Sequence, residues 1–167
     1  LISYALPQQK PLDFFNKVQH GNGVWAPCIR YHNNEFYIYF PDPDFGIYMT
    51  KAKNPQGPWS EPIMIKEGKG LIDPTPLWDE DGKTYLAYAY AGSRAGIKSI
   101  LVVCTMNTEG TIANADEVMI IDGHAEENTI EGPKFYKRNG YYYIFAPAGG
   151  VATGWQTVLR SKNVFGQ

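Results

Sequence analysis

Phe135-Tyr136-Lys137-Arg138-Asn139-Gly140-Tyr141-Tyr142-Tyr143-Ile144-Phe145 decides the fold. Asn-Gly stands between two runs of aromatic, β-favouring side chains. That is the strongest short-range signal for a β-hairpin, because both central residues of a type I′ turn need positive φ. Immediately upstream lies Thr129-Ile130-Glu131-Gly132-Pro133-Lys134. Glu131 therefore sits at the start of, or just before, the first strand of the hairpin. Glutamate is depleted in strands, and burying its carboxylate costs free energy unless it has a partner or a task. Glu131 is either a working acid or a tethered surface charge.

Working outward, the same pattern recurs twice. Val24-Trp25-Ala26-Pro27-Cys28-Ile29-Arg30-Tyr31 leads through His32-Asn33-Asn34 to Glu35-Phe36-Tyr37-Ile38-Tyr39-Phe40. Ile72-Asp73-Pro74-Thr75-Pro76-Leu77-Trp78 leads through Asp79-Glu80-Asp81-Gly82 to a strand centred on Tyr85 and Tyr88. Each copy has a proline near a marked residue, then an apolar or aromatic pair, a polar turn and a Tyr-rich run. Each also has an outer strand, from Gly46, Ser99 and Gln156 respectively. A repeat of about fifty residues holding roughly four short strands is the signature of a β-propeller blade. A β-sandwich of hairpins ranks second, since its strands have no reason to recur at this period. The expected fold is all-β, with about three blades of four-stranded antiparallel sheet and little helix. Ile2 to Leu6 reads as a short strand, and Asp13-Phe14-Phe15 as a turn of helix.

Composition agrees. Aromatics make up 14% of the 167 residues, which suits strands and sugar-stacking surfaces better than a helical bundle. Seventeen Gly and twelve Pro supply turns and speak against long helices. The net charge of −2, with no basic stripe, gives no reason to expect nucleic acid. No apolar run approaches a membrane span. Cys28 and Cys104 have no metal-ligand spacing, and Cys28 reads as a small core residue. His20, His32 and His124 stand in loop or turn contexts without ligand spacing.

In a propeller the innermost strand of every blade lines the central channel, so residues at the starts of those strands converge. Trp25, Asp73 and Glu131 fall at equivalent places. One aromatic and two carboxylates facing one cavity suit glycosidic bond hydrolysis. That reaction needs an acid to protonate the leaving oxygen and a carboxylate to activate water or attack. A further carboxylate beside the acid raises its pKa by like-charge repulsion.

The sequence resembles glycoside hydrolase family 43, the five-bladed propeller arabinofuranosidases and xylosidases. The resemblance rests on Gly23-Val24-Trp25-Ala26-Pro27 with Ile29-Arg30-Tyr31, on Ile72-Asp73-Pro74 with Asp79-Glu80-Asp81-Gly82-Lys83, and on Thr129-Ile130-Glu131-Gly132-Pro133. It implies that Glu131 is the general acid, that Asp73 tunes and orients it, and that Trp25 walls the sugar subsite. It implies an inverting enzyme acting on terminal arabinofuranosyl or xylosyl units of pentose-containing saccharides, secreted or periplasmic. It implies no catalytic cofactor, although a structural calcium is compatible with the intact ring. The family's general base is an aspartate on its first blade. Asp13 is in the wrong context for it, so the base is expected upstream of Leu1 and the last blade beyond Gln167. Residues 1–167 then form a partial propeller domain.

Simpler readings stand beside these. Asp73 before Pro74 also suits an Asx-type turn, and Trp25 alone suits core packing. Trp155, after Gly149-Gly150 and Gly154, stacks on a sugar or packs a turn; Phe45, after Pro41-Asp42-Pro43-Asp44, has the same two readings. Asp79, Glu80 and Asp81 read as solvated turn residues. A non-catalytic sugar-binding propeller, or an incomplete ring that self-associates through open edges, are the alternatives to a glycosidase.

Overall fold

The computed structural model describes residues 4–6 and 15–166. Its strands form three consecutive antiparallel sheets in chain order. The first holds β1 (Cys28–His32), β2 (Glu35–Asp42), β3 (Gly46–Ala52) and β4 (Ile63–Glu67). The second holds β5 (Leu71–Trp78), β6 (Thr84–Tyr90), β7 (Ile100–Met106) and β8 (Val118–Asp122). The third holds β9 (Lys134–Arg138), β10 (Tyr141–Ala148) and β11 (Trp155–Ser161), one strand fewer among the described residues than the four-stranded pattern predicts. Among the described residues, helix is limited to Phe15, the last member of the expected Asp13-Phe14-Phe15 turn, and two short turns, α1 (Gly92–Ala95) and α2 (Gly150–Thr153). These are propeller blades. The strand expected at Ile2 to Leu6 is not formed at residues 4–6, and its first residues, like Asp13 and Phe14, lie outside the described residues.

The hairpins follow from local chemistry. Asn139 and Gly140 take φ of 51° and 74°, and Arg138 pairs with Tyr141, which is the tight turn that Asn-Gly favours. In blade one, Asn33 and Asn34 do the same between His32 and Glu35. Alternate side chains then face alternate sides. One side of each inner hairpin packs on the next blade. Tyr37, Tyr39, Ile47, Leu86, Tyr88 and Cys104 fill the space between blades one and two. Ala87, Leu101, Val103, Ile130, Phe135 and Ile144 fill that between blades two and three. Cys28 and Cys104 are free and buried.

The inner strands start side by side. The Arg30 guanidinium on β1 donates to Thr75 Oγ1 on β5 at 2.7 Å and lies 5.2 Å from the Tyr136 ring centre on β9. One cation thus touches all three inner strands, and the residues preceding them share one end of the channel.

Candidate active site

Asp73 lies in a bulge of β5, where the register with β6 shifts between Ile72 and Thr75. Its φ is 55°, a left-handed conformation that Asp tolerates better than most residues. The bulge turns its carboxylate toward the third blade, where Oδ2 accepts the Gly132 N–H at 2.8 Å. Gly132 directly follows Glu131, so this bond joins the Asp73 bulge to the Glu131 loop across 59 residues of chain. The sequence placed both at one channel, and this hydrogen bond brings Asp73 to the Glu131 loop.

That loop is held from behind. The Glu131 N–H donates to the Pro147 carbonyl at 3.1 Å, extending the β9–β10 ladder past its last regular pair. The Thr129 N–H donates to Ser99 Oγ at 2.8 Å, and Thr129 is left-handed with φ of 61°. The Gly149 N–H donates to the Asn128 carbonyl at 2.7 Å. Ser99 is buried and itself left-handed, a supporting role that nothing in its sequence context signalled.

Both carboxyls are pushed above their usual range. Glu131 is raised first by burial and second by the negative charge of Asp73, with the Lys98 ammonium pulling the other way. Like-charge repulsion, the cause expected from sequence, therefore acts behind desolvation. Asp73 is also raised by burial, but the Gly132 N–H and the Lys134 ammonium oppose that rise. An N–H donor and a nearby cation favour the ionised form. The Gly132 N–H and Lys134 favour charge on Asp73 and Lys98 favours it on Glu131, yet burial leaves both carboxyls raised.

The aromatic candidates lie at the same end. Trp25 is half-buried; its N–H donates to the Pro41 carbonyl at 3.0 Å and its indole Nε1 to the Gly21 carbonyl at 3.3 Å. Arg94 covers it, with the guanidinium 5.1 Å from the ring centre. Arg94 also reaches Asp44 at 3.3 Å and Asn22 at 2.5 Å, locking blade two to the loops of blade one. Phe45 sits in the β2–β3 turn, half-buried, with its ring 6.2 Å from that of Phe15. Trp155 opens β11, two strands outward from the Glu131 loop, and is 47% exposed.

One sequence expectation is overturned. Asp79 is not a solvated turn residue, for its side chain is wholly shielded from solvent. Its carboxylate accepts from Lys137 at 2.5 Å and from the Tyr142 hydroxyl, both on the third blade. Burial raises its pKa, but these two donors outweigh burial and hold it below the usual carboxylate range. Asp79 is a tie between blades, at the end away from Glu131. Glu80 remains exposed, as expected.

A cavity of about 270 Å³ lies between blades two and three, lined by Ile120, Phe135, Tyr142, Ile144 and Leu159. Arg160, Ser161 and Asn163 line it as well, and it holds neither Glu131 nor Asp73. Among the described residues no group of three or more His, Cys, Asp or Glu side chains could hold a metal ion. His32 stacks on Trp78 with ring centres 4.4 Å apart, and His124 pairs with Asp122.

Comparison with known proteins agrees with this geometry. The model of glycosyl hydrolases family 43 matches residues 1–167. A protein of Xylanibacter ruminicola that carries a provisional beta-xylosidase name is 42% identical over 149 residues, covering 89% of this chain and 27% of that protein. The non-reducing end alpha-L-arabinofuranosidase BoGH43B of Bacteroides ovatus is 33% identical, covering 99% of this chain and 30% of its own length. The crystal structure of xylan beta-1,4-xylosidase from Bacillus halodurans superimposes with a TM-score of 0.73 at 28% identity, over 87% of this chain and 29% of that one. The chain thus spans under a third of the length of these relatives. Three blades whose inner strands bring Asp73 to the Glu131 loop, matched end to end by one family model, place the chain in glycosyl hydrolases family 43.

Proposed function

We propose that residues 1–167 supply the acid half of an inverting glycosidase that removes terminal arabinofuranosyl or xylosyl units from plant cell-wall saccharides. Glu131 protonates the leaving glycosidic oxygen. Asp73 stays ionised, keeps the proton on Glu131 and, through the Gly132 N–H, holds the loop that aims it. Trp25 walls the sugar position, with Phe45 beside it and Trp155 further out. The observation that carries this reading is the 2.8 Å bond from Gly132 to Asp73, which joins two carboxylate-bearing segments of different blades in a partly desolvated place. Idle carboxylates are seldom gathered where both pay for burial.

Inverting hydrolysis also needs a carboxylate on the opposite face of the sugar to activate water. We assign that base to a segment outside residues 1–167, and the substrate positions it would complete are shared with that segment. Relatives named as xylosidases and as arabinofuranosidases support the pentose class, and we assign the protein a secreted or periplasmic setting, where such saccharides are met. The test is hydrolysis of 4-nitrophenyl α-L-arabinofuranoside and β-D-xyloside. The 167-residue chain gives little or no release. A longer chain that adds the upstream blade gains activity, and Glu131→Gln removes it. A sugar-binding module without catalysis gives no activity in either chain and no effect of Glu131→Gln.

A further inference from the structure

We infer that Trp155, held by Glu127, is an outer stacking platform for the polymer-side sugars of a longer saccharide. This rests on the glycosidase reading of the Glu131 loop and extends it outward. Trp155 pairs with Ala148, and its neighbour Gln156 pairs with Pro147, whose carbonyl receives the Glu131 N–H. Two strand spacings therefore separate the platform from the acid, roughly 10 Å. One sugar ring does not bridge that gap; an oligosaccharide does.

The indole is fixed on two sides and open elsewhere. Its six-membered ring lies against the Gly149 backbone so closely that a Cβ there would sit 2.3 Å from Cζ3. Gly149 has φ of 78°, so the position is doubly closed to a larger residue. The indole Nε1–H donates to Glu127 Oε2 at 2.8 Å, and the Thr157 hydroxyl donates to the same oxygen. With its N–H already used, the ring offers a ring face and no free donor. Such a surface suits the C–H face of a neutral pyranose or furanose better than a hydrogen-bonding or charged ligand. The indole is 47% exposed, at the end of the blade that carries the Glu131 loop.

Glu127 is a positioning residue. Its carbonyl accepts the Ile130 N–H at 2.9 Å, one residue before Glu131. The platform and the acid therefore hang on one loop, and the spacing between them is set by the fold.

The experiment is calorimetric titration of the full 167-residue chain with xylose and with xylotetraose, the latter a probe long enough to reach the rim. The wild-type chain binds xylotetraose more tightly than xylose. Trp155→Ala loses about tenfold of the xylotetraose affinity, the order expected for one stacked ring face, and leaves xylose binding unchanged. Xylotetraose shifts the tryptophan emission of the wild type to the blue by more than xylose does, and Trp155→Phe removes that excess, a signature that a packing role would not produce. Should Trp155→Ala fail to fold, Glu127→Ala carries the comparison, because it leaves the indole present but unheld. Equal xylotetraose binding by wild type and variants, with xylose still bound, overturns the platform and spares the Glu131 pocket. Failure of the wild type to bind xylotetraose overturns the platform, while the Glu131 reading is judged separately by aryl-glycoside hydrolysis in the longer chain.

Discussion

Replacing Gly132 by alanine tests the join between blades without touching a titratable group. Gly132 has φ of 61°, a conformation that costs an alanine about 1–2 kcal/mol. The new Cβ would also stand 3.3 Å from the Pro147 ring, close enough to push the loop away from β10. If the backbone turns to relieve this, Asp73 loses its 2.8 Å N–H donor. A hydrogen bond to a charged, mostly buried carboxylate is worth about 1.5–3 kcal/mol. The summed loss is about 2.5–5 kcal/mol, read as a lower urea midpoint at unchanged slope. The same variant has a second signature. The Gly132 N–H holds Asp73 down, so its removal raises the Asp73 pKa further. Over the pH range where Asp73 then becomes protonated, Glu131 loses one of the two influences that raise it. Carbon-detected NMR titration of both carboxyls follows this directly. Unchanged stability together with unchanged titration of Asp73 would refute the reasoning.

Other outcomes follow from the same contacts. Asp79→Ala strips two donors of their acceptor and destabilises the chain. Because the Asp79 pKa is depressed, the stability it contributes is present above the unfolded carboxylate range and is lost as pH falls through its folded value; the wild-type advantage over Asp79→Ala therefore shrinks in acid unfolding series. Asp42 is the opposite case. It is buried, with Oδ2 unpartnered, and burial raises it to about 6. A raised carboxylate costs stability as pH climbs from the unfolded value through the folded one. Asp42→Asn is therefore more stable than wild type at pH 8, by about 3 kcal/mol, and not at pH 4. Gly110→Ala, with φ of 70° and a Cβ that would fall 2.4 Å from the buried Tyr39 hydroxyl, costs about 2–4 kcal/mol by chemical denaturation.

The parts of this molecule that were legible in its sequence are those set by neighbouring residues. Asn139-Gly140 announced its turn, the Tyr-rich runs announced their strands, and the recurrence of Tyr37, Tyr85 and Tyr143 announced the blades. Glu131 stood out because a carboxylate beside a core hairpin is costly. What remained hidden depends on partners far along the chain. Asp79 looked like any Asp-Gly turn residue, since its two donors come from Lys137 and Tyr142 on another blade. Arg94 gave no sign of covering Trp25, nor Ser99 of receiving the Thr129 N–H. The sign of the Glu131 shift was legible, but not that burial leads it, because burial is a property of the assembled blades.

The central claim is that Asp73 and Glu131 form one acid pair. It is tested most directly by the titration midpoint of the Glu131 carboxyl in the 167-residue chain, with and without Asp73→Asn. The account predicts a wild-type midpoint above the ordinary 4.5. It predicts that Asp73→Asn lowers the midpoint without returning it to 4.5, because burial is the larger cause. A wild-type midpoint at or below 4.5, or one that Asp73→Asn leaves unmoved, would contradict it.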